Sequence, residues 1–203
     1  MRHHWILGVV LLHLGCQPLL AQREPSPAPT DAPRQAVALR ATLQRLLAPA
    51  RIIVGADAEP GRDARAQEVR FSWDTVPGLE KAGLTAGGLR AVSRTRDAGA
   101  FPRLRALELA DDKLFVAAVD ADGGLRGWTV IQDPRFVRSE APGSDGVLTG
   151  KTVALAHADF LVAIPDDPAI AEVKLFQPKR VRDDWELTLI VTLVMPPGGG
   201  AVR

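Results

Sequence analysis

Lys113-Leu114-Phe115-Val116-Ala117-Ala118-Val119, then Asp120-Ala121-Asp122-Gly123-Gly124, then Leu125-Arg126-Gly127-Trp128-Thr129-Val130-Ile131 decide the fold class. The first run is short, apolar and too brief for a stable helix. It is a strand candidate. The Asp and Gly residues that follow tolerate positive φ, which a tight turn between antiparallel strands demands. The third run is rich in β-branched and aromatic residues and reads as the return strand. The three segments predict a β-hairpin.

The same grammar repeats on both sides. Val69, Phe71 and Trp73 alternate with Arg70, Ser72 and Asp74, as expected of a half-buried strand. Residues 104–109 suggest another strand. Gly78, Gly83, Gly87 and Gly88 break the stretch between, which shows no clear period. Downstream, residues 135–140, 152–156, 160–164 and 172–176 read as extended, separated by turns at 142–146 and 165–168. At the end, Trp185, Leu187, Leu189, Val191 and Leu193 alternate with polar residues and predict a strand with one apolar face. Many short strands punctuated by Gly and Pro indicate a mainly β domain over 50–197, arranged as an immunoglobulin-like β-sandwich. No repeat of fixed period is visible.

The residues before this domain have other patterns. Met1-Arg2-His3-His4 leads into an apolar run from Trp5 to Leu14, the layout of an export signal over 1–21. The run falls short of the ~20 residues of a membrane-spanning helix. Two cleavage readings stand side by side. Leu14-Gly15-Cys16 is similar to the end of a lipobox, which makes Cys16 a lipidation candidate and a membrane anchor, although His13 replaces the usual Leu. Cleavage after Ala21 would instead release a soluble chain from Gln22. Residues 22–33 carry Pro at every second or third position and predict an extended stalk. In 34–49, Leu39, Leu43, Leu46 and Leu47 recur at helical spacing, with Thr30 or Asp31 as N-cap and Pro49 as stop. This amphipathic helix either packs on the domain or lies on a membrane surface. The Gly198-Gly199-Gly200 segment predicts a flexible tail at 198–203.

Composition narrows the chemistry. The chain has 203 residues, 25 basic and 24 acidic side chains, four His and one Cys. Arg2 is the only charge in the leader, so the rest is balanced, and nothing suggests nucleic acid. His3, His4, His13 and Cys16 all fall in the leader. The exported chain then keeps one imidazole, His157, and no thiol for an internal disulfide. The His-Glu-x-x-His, Gly-x-x-x-x-Gly-Lys and Gly-x-Ser-x-Gly motifs are absent from the sequence.

Few residues remain as candidates for binding: Asp120, Asp122, His157 and Trp128. Asp120-x-Asp122-Gly123 opens like a calcium loop, but Leu125, Gly127 and Trp128 fall where oxygen ligands belong, so a hairpin turn is the stronger reading. His157 can pair with Asp159 or a distant Ser, or be a plain strand-edge imidazole. Trp73, Trp128 and Trp185 either form an aromatic platform for sugar or pack in the core. The pairs Asp111-Asp112, Asp166-Asp167 and Asp183-Asp184 are adjacent in sequence, so on extended chain they point apart, unlike the facing carboxyls of a glycosidase. No catalytic residue, metal site or cofactor is implied.

Val119-Asp120-Ala121-Asp122-Gly123-Gly124, residues 133–140, residues 160–167 and Lys174-Leu175-Phe176-Gln177-Pro178 together resemble β-sandwich regions of exported bacterial proteins. These include regions accompanying IgA-peptidase-type metallopeptidases. The resemblance implies a sandwich module, and no catalytic residue can be carried over, because the zinc motif is missing. The sequence therefore points to an exported, non-enzymatic binding or interaction module of the cell envelope, its partner an envelope protein or glycan. A carboxylate-based hydrolase or an accessory domain of a secreted peptidase is the alternative. Mass spectrometry of the mature N-terminus decides the anchor: a lipidated Cys16 supports the lipoprotein reading, and an unmodified chain from Gln22 rules it out.

Overall fold

The computed structural model of the protein describes residues 32–58, 64–74, 88–96, 98–102, 106–142 and 148–195. The leader with Cys16, most of the stalk and the Gly-rich tail lie outside the described residues. Among the described residues, one helix, α1 (Ala32–Leu47), precedes nine strands. These are β1 (Ala66–Asp74), β2 (Leu89–Thr95), β3 (Lys113–Asp120), β4 (Leu125–Gln132), β5 (Phe136–Pro142), β6 (Leu148–Ala154), β7 (His157–Pro165), β8 (Ile170–Val181) and β9 (Asp184–Val194). Among the described residues, the pairings between these strands are all antiparallel. They make a three-stranded sheet, β2-β1-β7, a four-stranded sheet, β4-β3-β8-β9, and a two-stranded ribbon, β5-β6.

The 113–131 hairpin is present, and β3 is its most constrained element. Its six residues from Leu114 to Val119 are fully buried. Alternation sends Leu114, Val116 and Ala118 to one face and Phe115, Ala117 and Val119 to the other. The first set joins Val69, Phe71 and Trp73 of β1, Val162 and Ile164 of β7, and Val173 and Leu175 of β8 in one apolar cluster. Phe71 and Phe160 stack there with ring centres 5.3 Å apart. The second set packs with Leu125, Trp128 and Phe176 beneath Leu43 and Leu47 of α1 and Ile52 and Val54 of the following segment.

The helix docks on the four-stranded sheet as its leucine spacing predicts. Leu43, Leu46 and Leu47 are at most 5% exposed, and burying each contributes about 2 kcal/mol. Its start differs slightly from expectation: Ala32 and Pro33, read as stalk, form the first turn, where Pro is tolerated because that N–H has no helical partner. The expected caps Thr30 and Asp31 fall outside the described residues. A 3₁₀ turn at Ala48–Ala50 carries Pro49, and Arg51 (φ 58°) ends it with an N–H donated to the Ala48 carbonyl at 2.9 Å.

Two expectations change, and a stretch that carried no expectation gains a strand. Strand β2 occupies the end of the Gly-broken stretch that showed no period; it pairs with β1 through a register shift at Arg70/Phe71. The described part of 104–109 is not a strand. Leu107 and Leu109 instead cover the helix-side cluster, and no strand pairs with the segment. In β9 the apolar stripe does not stay on one face. A bulge lets Leu175 face Val191 while Phe176 faces Leu189. Leu187 therefore packs on the helix side, whereas Val191 and Leu193 pack on the inter-sheet side.

One polar cluster ties these parts together. Asp133, just past β4, has no exposed surface. Its carboxylate accepts from the Arg135 backbone N–H (3.0 Å), Nε (2.9 Å) and Nη2 (2.6 Å). Arg135 Nη2 also donates to Gln177 Oε1 on β8 at 2.7 Å, and Gln177 Nε2 donates to the Asp111 carbonyl before β3 at 2.9 Å. The guanidinium lies 4.4 Å from the ring centre of Trp73 on β1, a cation–π contact. Removing one member of a buried pair leaves the other charge uncompensated. Asp133→Ala is expected to lower unfolding free energy by about 3 kcal/mol in urea denaturation. A loss below about 1 kcal/mol would class the pair with exposed ion pairs instead.

Candidate functional site

The candidates from sequence do not converge. Asp120 closes the β3–β4 turn. Its Oδ1 accepts the backbone N–H groups of Asp122 (3.0 Å) and Gly124 (2.7 Å), and its Oδ2 accepts Arg126 Nε at 2.9 Å. Partial burial opposes ionisation, but the donors from Gly124, Arg126 and Asp122 outweigh it and hold the carboxyl below its ordinary value. Gly124 is required here, because a Cβ would sit 2.6 Å from Asp120 Oδ2. Gly123 has φ +81°, a region that L side chains avoid. Ile53 adds a parallel bridge, donating to the Gly123 carbonyl and accepting from Leu125 N–H. Both Asp120 oxygens thus serve the turn. Asp122 is exposed beside it.

Trp128 is 4% exposed and stacks on Phe115 with ring centres 5.8 Å apart. Trp73 is fully buried. Neither ring offers a face to a ligand, so the three-tryptophan platform does not form. Trp185 alone reaches the surface, half-buried at the start of β9. The adjacent carboxylates have structural uses: Asp167 caps the Ala169 N–H at 2.8 Å, Asp166 lies 3.6 Å from Arg96, and Asp184 accepts Arg45 Nη2 at 2.9 Å.

His157 has the most developed surroundings. It begins β7 on the outer face of the three-stranded sheet, directly opposite Asp74 at the end of β1. Its Nδ1 lies 2.7 Å from Asp74 Oδ1, and its Nε2 lies 3.2 Å from Asp159 Oδ1. Arg70 binds Asp159 at 2.7 Å, and Arg90 of β2 approaches Asp74 at 3.7 Å. Ser72 also hydrogen-bonds Asp159. A neutral imidazole has one N–H and can donate to only one of two flanking carboxylates, whereas the imidazolium donates to both. The hydrogen bond to Asp74 is the main reason its pKa is raised; partial desolvation opposes, and the charges of Asp159 and Asp74 add to the rise. Of the alternatives, the pairing with Asp159 is therefore present, and the pairing with Asp74 was hidden by a separation of 83 positions in the chain. The cluster is open to solvent, with the His157 side chain 52% exposed. Among the described residues, no group of three His, Cys, Asp or Glu side chains is arranged to hold a metal ion.

A second feature has no motif in the sequence. A groove of about 310 Å³ runs between α1 and the start of β9. Leu39, Leu46, Leu107, Leu109 and Trp185 line it together with Arg45, which is held by Asp184. Thr42 and Arg45 are the polar residues among the described lining, and the rest of that lining is apolar.

No family model, curated protein or solved structure matches the chain. Among the described residues, no helix is long and apolar enough to cross a membrane.

The His157 cluster gives a pH dependence with a definite sign. Its folded pKa is raised above the ordinary 6.5. Its stabilising contribution is full below about pH 6.5 and is lost as pH rises through the folded value. The melting temperature of the natural protein, relative to His157→Gln, is expected to fall from about pH 6.5 upward. A difference that is flat across neutrality would show that the flanking carboxylates do not hold the proton.

Proposed function

We propose that this protein is an exported, non-enzymatic binding module of the bacterial cell envelope, built as an immunoglobulin-like β-sandwich. The export signal and Pro-rich stalk of the sequence supply the address. The apolar cluster shared by the three- and four-stranded sheets supports the sandwich reading. The β-sandwich resemblance of residues 114–178 fits the same reading. Either an envelope protein or a glycan is the partner, and a lipid at Cys16 would hold the module at the membrane.

The observation that carries the proposal is the groove beside α1. It is concave, its described lining is mostly leucine, alanine and one tryptophan, and its one charged lining residue, Arg45, is paired with Asp184. Such a surface suits the burial of an apolar or aromatic group better than bond cleavage. The polar residues elsewhere are engaged in turns and ion pairs, as Asp120 and Asp133 illustrate.

The hydrolase reading has one observation in its favour, the carboxylates of Asp74 and Asp159 on either side of His157. They lie on an exposed sheet face with the imidazole between them, which leaves no cleft for a substrate bond.

Immobilised protein is expected to capture a component of detergent-solubilised native envelope, and Leu39→Glu with Trp185→Ala to lose that capture while keeping the circular dichroism spectrum. The same preparation should turn over nothing in a broad hydrolase panel. Turnover abolished by His157→Ala would replace the binding reading with the hydrolase one.

A further inference from the structure

Strands β5 and β6 form a ribbon that packs chiefly against itself. Residues 137–140 and 150–154 are all exposed, so neither face is covered. A two-stranded ribbon without a packed face is marginal in water, and its unpaired edges are ready to accept another strand. β6 occupies one edge of β5; the other is unpaired among the described residues.

The direction of the backbone groups on that free edge can be read. Leu155 N–H donates to the Arg135 carbonyl at 2.8 Å, which continues the Phe136↔Ala154 register by one step. In an antiparallel pair the residues that bond the partner alternate. Residues 135, 137 and 139 therefore point their N–H and C=O toward β6, and 136, 138 and 140 point them outward. The Phe136 N–H agrees, since it donates to Asp133 and not to β6.

We propose that β5 is the contact edge of a symmetric dimer, in which two copies of the chain pair their β5 strands antiparallel about a two-fold axis at Ser139. A two-fold contact demands a self-complementary surface. In this register Arg138 stands opposite Glu140 of the partner subunit, and Glu140 opposite Arg138 of the partner subunit. Both residues have outward backbone groups, so they form the hydrogen-bonded pairs of the new ladder, and their side chains place opposite charges across it. The two side chains are exposed and make no ion pair with one another in a single copy. The equivalent pairing through β6 is disfavoured, because an axis at Lys151 sets two lysines face to face. The ladder ends naturally: Pro142 has no N–H, and that of Phe136 is committed to Asp133. A ladder this short makes a weak, concentration-dependent and salt-sensitive dimer. The proposal does not depend on the envelope reading.

Sedimentation velocity over a concentration series, on the chain as its host processes it, tests the register. The natural protein is expected to show a monomer–dimer equilibrium. Arg138→Glu and Glu140→Arg, each placing like charges across the axis, should weaken it about tenfold or more. The double variant R138E/E140R restores opposite pairs and should dimerise like the natural protein. Circular dichroism of each variant confirms that the fold is kept. A natural protein that stays monomeric at its solubility limit overturns the proposal, as do single reversals without effect or a double reversal that fails to rescue.

Discussion

Strand β3 has no side that faces water, and this burial governs the arrangement around it. Leu114, Val116 and Ala118 need one apolar cover, and Phe115, Ala117 and Val119 need another. The three-stranded sheet supplies the first and α1 with the Ile52–Val54 segment supplies the second. A sheet with one solvated face would expose three of these side chains, each worth roughly 1 to 3 kcal/mol when buried. The helix is thus part of the core. The docking of α1 also creates the groove beside Trp185, because the helix covers the sheet only as far as its leucines reach.

The Asp133–Arg135 pair fixes how the parts meet. Apolar contacts are non-directional and tolerate sliding, whereas a carboxylate held by three N–H donors does not. This one cluster touches the start of β3, the end of β4, the root of the β5–β6 ribbon, β8 and Trp73 of the opposite sheet. The ribbon leaves the body at Arg135 and returns at Leu155, joined by a single carbonyl bond. Its root is held by the bonds of Arg135 to Asp133 and Gln177, while residues 137–140 and 150–154 are exposed.

Several polar groups are committed to local bonds. Asp120 and Asp133 are acceptors for nearby donors, and their negative charge is used locally. His157 is held between carboxylates by sheet pairing, with Asp74 brought opposite by the β1–β7 register. Among the described residues, an apolar-lined groove and an unpaired strand edge are open to solvent.

The sequence by itself determined the local elements. The 113–131 hairpin, the helix of Leu39, Leu43, Leu46 and Leu47, and the β1 alternation were legible because period, turn chemistry and helix stops act within a few residues. It also supplied the candidate list, with Asp120 read correctly as turn chemistry. Tertiary structure decided the rest. The β9 stripe splits at a bulge, because its two halves serve different cores. Residues 104–109 cover the helix-side cluster, since a strand exists only where another strand offers hydrogen bonds. β2 forms in a glycine-broken stretch because β1 presents an edge to it. The pairings His157–Asp74 and Arg135–Gln177 join residues distant in the chain, and only sheet register brings them within bonding distance. Contacts of that kind are set by three-dimensional packing, whereas periodicity and turn residues are set by the chain's own covalent neighbourhood.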